Sequence, residues 1–208
     1  DFDYTGVANN EYGWWYVKNG IVDFTYNSLA NNEYGYWKIK DGAIDFSCNT
    51  LVEFDGAWWK IEGGHVNFDS NTVTEYGWWY IKNGMLDFSY NGLADNEYGS
   101  WKIINGAVDF SAYGIQYDYH TNKWYYFNGG SVATSYNGLA QNEAGWWKIT
   151  KGQVDFGYTG FAGNDAGIWY IINGAVAFDY TGTVDATIVS NGRAENHQHS
   201  WVQHEAEY

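Results

Sequence analysis

An aromatic phrase returns at nearly constant intervals along the chain. It consists of an aromatic pair, Lys or Tyr, an aliphatic residue, a turn, a second aliphatic residue and usually Asp-Phe. The second aromatic residue is the anchor of each phrase, and successive anchors lie 20 to 24 residues apart. The anchors are Trp15, Trp37, Trp59, Trp79, Trp101, Tyr125, Trp147 and Trp169. A period in this range indicates units that cannot bury their apolar face alone, so the sequence predicts a stack of about eight repeats.

Each repeat is predicted to fold as a β-hairpin followed by a short connector. In the first repeat, Asn19-Gly20 separates two β-prone runs, and this dipeptide is typical of a two-residue type I′ turn because both positions need positive φ. Such a turn places Val17 opposite Val22. Comparable turns lie at 41–42, 63–64, 83–84, 105–106, 129–130, 151–152 and 173–174. The sequence therefore predicts an all-β fold, a β-hairpin solenoid.

Alternation of side chains along a strand assigns one face of each hairpin to the core. In the first repeat this face carries Trp15, Val17, Val22 and Phe24. The equivalent residues in the other repeats are almost all apolar, and the connectors add an aliphatic column that begins at Leu29. We expect these columns, including the anchors and the Phe residues, to be buried.

The opposite face of each hairpin is predicted to be exposed. Its first column, beginning at Trp14, is mostly aromatic, and its second, beginning at Tyr16, alternates between Tyr and Lys. Each Lys faces Asp or Asn across the hairpin, as Lys38 faces Asp45. Such cross-strand pairs contribute about 0.2–1 kcal/mol each, enough to stabilise the register of the strands.

Composition narrows the range of partners. The chain has 25 acidic and 10 basic residues and a net charge of -15, which repels nucleic acid and anionic lipid headgroups. No apolar run approaches the ~20 residues that span a bilayer, so membrane insertion is not expected. The single Cys48 is compatible with an exported bacterial protein that needs no disulfides. Because the chain opens in the middle of a repeat, we interpret it as part of a longer protein.

Two segments connect the repeats to a known family. Residues 122–134 read Asn-Lys-Trp-Tyr-Tyr-Phe-Asn-Gly-Gly-Ser-Val-Ala-Thr, which resembles the cell-wall-binding repeats of choline-binding and glucan-binding proteins. Residues 77–90 are similar to a divergent variant in surface proteins of Clostridia-type bacteria. The resemblance covers residues 1–183. It implies a superhelical hairpin stack in which aromatic side chains of successive hairpins form shallow cages for choline or sugar.

The resemblance also implies which residues bind the ligand. The candidates are the outward aromatic residues Trp14, Tyr16, Tyr36, Trp58, Trp78, Tyr80, Trp124, Tyr126, Trp146 and Tyr170. Exposed flat rings suit stacking on sugars or cation–π capture of a quaternary ammonium group. Ser100 and Ile168 interrupt the column, so the grooves between repeats are not expected to be equivalent. The alternative is that neighbouring repeats cover these rings.

Two further features carry weaker signals. Each connector contains an acidic residue, at Glu11, Glu33, Glu53, Glu75, Glu97, Glu143 or Asp165. The dense loop motif of a Ca²⁺ site is missing, so a solvated acidic ridge is the favoured interpretation. Residues 184–208 leave the repeat pattern and are predicted to form a C-terminal cap or His-rich linker. Its His197, His199 and His204 could bind a transition metal, but no metal site is assigned.

No catalytic motif or cofactor-binding signature stands out from the repeats. The sequence therefore predicts a non-catalytic binding module, without cofactor, of a secreted or cell-surface bacterial protein. We expect it to attach to cell-wall or extracellular glycan through its aromatic grooves. Two alternatives stay open at this point: an adhesin-like surface that recognises a host protein, and a passive structural spacer.

Overall fold

The computed structural model describes residues 2–195, which contain β-strands and turns and no helix. The strands follow one another in nine groups of three, and we number these groups repeats one to nine. Each repeat has a connector strand, an aromatic strand and a short strand. The connector strands are β1 (Gly6–Asn10), β4 (Leu29–Asn32), β7 (Thr50–Phe54), β10 (Thr72–Thr74), β13 (Gly92–Asn96), β16 (Gly114–Asp118), β19 (Gly138–Asn142), β22 (Gly160–Asn164) and β25 (Gly182–Val184).

The aromatic strands of repeats one to eight carry the anchors, and the short strands have two residues each. The aromatic strands are β2 (Gly13–Lys18), β5 (Gly35–Lys40), β8 (Ala57–Glu62), β11 (Trp79–Lys82), β14 (Gly99–Ile104), β17 (Lys123–Asn128), β20 (Gly145–Thr150), β23 (Gly167–Ile172) and β26 (Thr187–Ser190). The short strands are β3 (Ile21–Val22), β6 (Ala43–Ile44), β9 (His65–Val66), β12 (Met85–Leu86), β15 (Ala107–Val108), β18 (Ser131–Val132), β21 (Gln153–Val154), β24 (Ala175–Val176) and β27 (Arg193–Ala194).

The chain divides into two compact units. The first contains the described residues up to Asn96 together with Ile103–Val108. The second contains Glu97–Lys102 and the described residues from Asp109 onward.

Within a repeat the three strands form an antiparallel meander. In repeat one, Val17 of β2 faces Val22 of β3, so the predicted hairpin register is confirmed. The connector is more regular than the sequence indicated, because β1 also pairs with β2, with Ala8 opposite Trp15. The all-β hairpin solenoid predicted from the sequence is confirmed in both units.

Successive repeats are joined through the turn of the next hairpin. In repeat two, the Gly42 carbonyl accepts a hydrogen bond from Tyr16 N at 2.7 Å, and Gly42 N donates to the Tyr26 carbonyl at 3.1 Å. Gly42 has φ 76, and a Cβ built there would lie 2.6 Å from the Asp23 carbonyl oxygen. Glycine is therefore needed at this position both for its backbone conformation and for close approach to the preceding repeat.

The core consists of the aliphatic columns, as predicted. The column that follows the anchors is buried almost completely from repeat two to repeat eight, at Ile39, Ile61, Ile81, Ile103, Phe127, Ile149 and Ile171. The first residue of this column, Val17, is half-buried. Its partners on the short strands, such as Val66, and connector residues such as Leu29 complete the apolar layer.

The prediction that the Phe column is buried is wrong. Phe24 is 63% exposed, and the equivalent residues Phe46, Phe68, Phe88, Phe110, Phe156 and Phe178 are also exposed. The reason is local, because the short strand ends at Val22 and the chain turns through Phe24 and Thr25, where strand alternation no longer applies. Asp23 Oδ1 starts this turn by accepting hydrogen bonds from Thr25 N and Thr25 Oγ1 at 2.9 and 2.6 Å.

The opposite face is less exposed than predicted. Tyr16 and Lys148, both expected at an exposed surface, are 9% and 5% exposed. In repeat two the Asp45 carboxylate accepts hydrogen bonds from Ser47 N and Ser47 Oγ, so it belongs to a local turn and does not serve mainly as a partner for Lys38. The Ser47 hydroxyl lowers the pKa of Asp45 below its usual range.

A ninth repeat extends beyond the last anchor. The strands β25 to β27 repeat the meander, and the turn glycine Gly192 donates to the Tyr180 carbonyl as the earlier turn glycines do. The hairpin pattern therefore continues past residue 183 to Ala194. The sequence pattern did not reveal this repeat because Ala186 and Thr187 stand where other repeats have the aromatic pair that ends in the anchor. The cap or His-rich linker was predicted over residues 184–208, and its part from residue 196 lies outside the described residues.

Candidate functional site

Each of seven repeats carries one pair of aromatic rings at its surface. In repeat one the rings of Trp15 and Phe24 meet edge to face, with centroids 5.6 Å apart and an interplanar angle of 74°. The other Trp–Phe pairs are Trp37–Phe46, Trp59–Phe68, Trp79–Phe88, Trp101–Phe110, Trp147–Phe156 and Trp169–Phe178, at 5.4–6.0 Å and 69–76°. The indole rings are half-buried, so the prediction that the anchors form the core is only partly correct. The pairs remain accessible from solvent.

The indole rings are held in place by the preceding turn. Trp15 Nε1 donates a hydrogen bond to Asn10 Oδ1 at 3.2 Å, and the same oxygen accepts from Tyr12 N at 2.9 Å. The equivalent indole bonds join Trp37 to Asn32, Trp147 to Asn142 and Trp169 to Asn164. One asparagine thus stabilises the turn and also orients the indole ring. The signal in the sequence is an Asn five residues before the anchor.

The next repeat supplies a third wall to each site. The anchor residue lies opposite the first residue of the following short strand. These partners are Ala43 for Trp15, His65 for Trp37, Met85 for Trp59, Ala107 for Trp79, Ser131 for Trp101, Gln153 for Tyr125, Ala175 for Trp147 and Arg193 for Trp169. The sites therefore share one backbone geometry and differ in the side chain beside the indole ring.

The predicted outward column is only partly accessible. Tyr36 and Trp58 are 36% and 40% exposed. The other members, Trp14, Trp78, Trp124 and Trp146, are half-buried. Trp14 meets Tyr34 of the next repeat edge to face at 6.0 Å. Neighbouring side chains thus cover part of this column, as the alternative interpretation allowed.

The two aromatic columns converge between repeats two and three. Tyr36 lies 6.1 Å from Phe54 and 6.1 Å from Phe68, measured between ring centroids. Phe68 in turn forms the Trp–Phe pair with Trp59, and Met85 lies opposite Trp59. The structure therefore brings one predicted site residue, Tyr36, together with Phe68 and Trp59, which the sequence had placed in the core. These residues form one connected group of partly exposed aromatic rings in the first unit.

The four predicted site tyrosines after the anchors lie against other tyrosines. Tyr16 stacks on Tyr26 at 3.8 Å with an interplanar angle of 20°, and Tyr26 OH donates to the Leu29 carbonyl at 2.8 Å. The equivalent pairs are Tyr80–Tyr90, Tyr126–Tyr136 and Tyr170–Tyr180. Burial raises the pKa of Tyr26 and of Tyr136. These tyrosine pairs are part of the packing between neighbouring segments of a repeat, and a ligand would reach at most the edge of a ring.

In four repeats the residue directly after the anchor is Lys and not Tyr. In most of these a smaller residue lies where the stacked tyrosine partner lies in the other repeats. Cys48, Ser70 and Ala112 occupy the stacking position in repeats two, three and five. Repeat seven keeps the tyrosine, and Lys148 Nζ lies 5.4 Å from the centroid of Tyr158. The sequence contains this correlation, because the two positions lie ten residues apart in every repeat.

The acidic connector residues are all exposed, in agreement with a solvated ridge. Among the described residues no group of three or more His, Cys, Asp or Glu side chains could hold a metal ion. His197, His199 and His204 lie outside the described residues. Residues 2–195 also contain no helix long and apolar enough to cross a membrane.

Three-stranded meanders, seven of which carry an aromatic pair in one geometry, define an aromatic β-hairpin repeat protein. The choline-binding repeat model matches residues 3–23, 72–87 and 135–155. These matches confirm the resemblance to choline-binding, or cell-wall-binding, repeats that the sequence predicted. No curated protein matches the chain.

Several solved structures are similar to this chain. Choline binding protein F from Streptococcus pneumoniae is 18% identical, with 88% of this chain and 61% of that protein covered and a TM-score of 0.37. The modular autolysin LytC from Streptococcus pneumoniae is 14% identical, with 94% and 49% covered and a TM-score of 0.38. An alternansucrase in complex with isomaltononaose is 15% identical, with 90% and 16% covered and a TM-score of 0.31. The chain thus spans about three fifths of choline binding protein F and half of LytC.

Proposed function

We propose that this chain is the non-catalytic binding module of an exported bacterial surface protein. It attaches that protein to cell-wall or extracellular glycan, and the group that its sites suit best is a choline-type quaternary ammonium. The observation that carries the proposal is the Trp–Phe pair, repeated seven times with one geometry and left accessible at the Phe ring. The match to choline-binding repeats supports the same ligand class.

The electrostatics of the sites favour a cation. Aromatic ring faces attract a quaternary ammonium by about 0.5–2 kcal/mol for each ring in contact. The net charge of -15 and the exposed acids of the turns, such as Glu11 and Glu33, add a longer-ranged attraction. The ring centroids of a pair lie in mutual contact at 5.4–6.0 Å, so the ligand sits on their outer surfaces and not between them. Each site is therefore shallow.

Repetition compensates for shallow sites. A polymer that displays many choline or sugar groups can occupy several sites of one chain, and the second contact is then intramolecular. Such multivalent binding raises the overall affinity without any single deep pocket. Tyr36 and Trp58 are the members of the predicted outward column that contribute most, because they are the most exposed.

The test is binding of the whole chain to choline chloride, to N-acetylglucosamine oligomers and to purified bacterial cell walls. We expect choline to bind in calorimetry and to compete with cell walls in a pull-down. Phe68→Ala and Trp59→Leu should each weaken choline binding, whereas Tyr12→Ala, at an exposed turn outside the pairs, should not. If none of the three probes binds, or if the Tyr12 control weakens binding as much as the site variants, the proposal is wrong.

A protein-binding surface is the second candidate function. Tyr12 and Tyr34 are 79% and 64% exposed at turns that also carry acids, and exposed Tyr is enriched at protein interfaces. The same pull-down, performed with host serum or mucosal extract, separates the two functions. Capture of a specific host protein that Tyr12→Ala abolishes and choline does not displace would favour the adhesin.

A further inference from the structure

The aromatic sites differ in whether the space beside the indole ring is already filled. In repeat two this space lies above Gly35, and the His65 imidazole occupies it. The His65 ring centroid is 4.7 Å from that of Trp37, and His65 Nε2 lies 3.2 Å from the Tyr34 carbonyl oxygen. A Cβ built on Gly35 would be only 2.6 Å from His65 Nε2. The histidine thus fills the position where a ligand would meet Trp37.

The second unit contains a comparable case. Arg193 lies opposite Trp169 in the strand register, and its guanidinium covers Gly167, the residue equivalent to Gly35. A Cβ on Gly167 would be 3.0 Å from Arg193 Nε and 3.3 Å from its Nη2. Arginine carries a permanent positive charge, so this site is filled by a cation that belongs to the protein.

Two other sites leave the same space open. At Gly13 the three atoms nearest to an added Cβ all belong to the Trp15 indole ring itself, at 3.7 Å or more. At Gly145, beside Trp147, no atom lies within 4 Å. The residues opposite these indole rings are Ala43 and Ala175, whose side chains are too short to reach the space. Each unit therefore holds at least one open and one filled site of the same construction.

We infer that His65 and Arg193 are internal occupants that close the Trp37 and Trp169 sites, so that the chain binds ligand unevenly along its length. The inference rests on the proposed function and adds to it which repeats bind. A ligand must displace the occupant first, and its apparent affinity falls by the fraction of time that the site is open. A cationic ligand is further opposed by the charge of Arg193.

The experiment follows individual tryptophans in the whole chain by the NMR signals of their indole rings, assigned through Trp→Phe variants. Choline chloride is the probe. In the wild-type chain we expect choline to shift the signals of Trp15 and Trp147 at concentrations about tenfold below those needed for Trp37 and Trp169. His65→Ala should abolish this difference for Trp37, and Arg193→Ala should do so for Trp169.

Reciprocal variants keep the test independent of any loss of structure at the altered site. Ala43→His should close the Trp15 site, and Ala175→Arg should close the Trp147 site, each leaving the other anchors unchanged. Equal response of all four indole rings in the wild-type chain would overturn the inference. So would a His65→Ala variant that folds and leaves the Trp37 response unchanged.

A second measurement separates this inference from the proposed function. If choline shifts no signal in any of these proteins, choline binding fails, and broadening of the Trp37 ring signals by a neutral paramagnetic agent then tests the occupant directly. His65→Ala should increase this broadening at Trp37 and not at Trp15, and Ala43→His should decrease it at Trp15. Unchanged broadening in both variants would overturn the inference.

Discussion

Repeats three and six share the three-stranded meander but differ in the site they carry. In both, the turn glycine joins neighbouring repeats: Gly64 and Gly130 donate to the Cys48 and Ala112 carbonyls at 2.9 and 3.0 Å. Both bury the residue two positions after the anchor, Ile61 or Phe127. Repeat three also has a Trp–Phe pair, whereas repeat six has Tyr125 and Thr134 at those positions. The scaffold is therefore independent of the site, because it is built from backbone contacts and aliphatic residues.

The largest expected effect is the loss of folding stability when a buried aliphatic residue of the scaffold is truncated. Ile61 is completely buried, and Ile61→Ala should lower the free energy of unfolding by about 2–5 kcal/mol. Phe68→Ala, in the same repeat but at an exposed ring, should cost less than about 1.5 kcal/mol. Urea unfolding followed by circular dichroism measures both. Similar costs for the two variants would mean that the site is part of the scaffold.

The turn of repeat three offers a second pair of substitutions to compare, at two adjacent glycines. Gly63 and Gly64 both have positive φ, but a Cβ on Gly63 meets nothing within 4 Å, whereas one on Gly64 would lie 2.5 Å from the Asp45 carbonyl oxygen. Gly63→Ala should cost about 1–2 kcal/mol for its backbone conformation alone. Gly64→Ala should cost at least about 1 kcal/mol more, because the neighbouring repeat must move. Urea midpoints in the wrong order would contradict this account of the stacking.

The difference between the two sites can be tested by building the missing aromatic pair into repeat six. The double variant Tyr125→Trp with Thr134→Phe rebuilds an aromatic pair on the backbone of repeat six. Calorimetry with choline should show one additional weak site, and Phe68→Ala should remove one from repeat three. Each ring is worth about 0.5–2 kcal/mol, or about two- to thirtyfold in affinity at that site. A double variant that folds and gains no binding would show that the pair is insufficient, for example because repeat six has no asparagine five residues before its anchor.

The smallest expected effect is a loss of folding stability at acidic pH. The Ser47 and Ser89 hydroxyls lower the pKa of Asp45 and Asp87, so these carboxylates contribute stability above the ordinary Asp range near pH 4. That contribution is lost as the pH falls through the lowered folded-state pKa. Thermal unfolding measured between pH 5 and pH 2 should show this loss as a fall in melting temperature. Asp45→Asn should reduce the slope of melting temperature against pH. Repeat six, with Ala133 at this position, adds nothing to it.

The sequence allowed prediction wherever one local rule determines the structure. Asn19-Gly20 required a tight turn, the turn determined the register of Val17 and Val22, and the aliphatic columns followed as the core. Phe24 was misassigned because it looks like the next residue of the strand, although the Asp-Phe-Thr sequence already contains the turn that exposes it. Repeat nine was missed for the opposite reason: it lacks tryptophan but keeps Asn191-Gly192, and the turn proved the better marker.

Contacts between repeats were harder to predict. The position of His65 beside Trp37 depends on how one hairpin meets the next, and no local pattern specifies that register. The half-burial of Trp14 has the same origin, because Tyr34 of the following repeat covers it. The strand register within a hairpin was therefore predictable, and the side chains that complete a neighbouring site were not.

The hairpin that follows each anchor residue supplies one wall of its aromatic site. The proposed binding unit is therefore offset from the folding unit and spans parts of two hairpins. An inserted copy of one repeat would bring a new indole ring, which the following hairpin walls. Its own short strand would wall the indole ring of the preceding hairpin. Valency can thus grow by simple duplication, with no second change needed. A single substitution at the first residue of a short strand can then retune the site of the preceding hairpin while its own indole ring stays as it was.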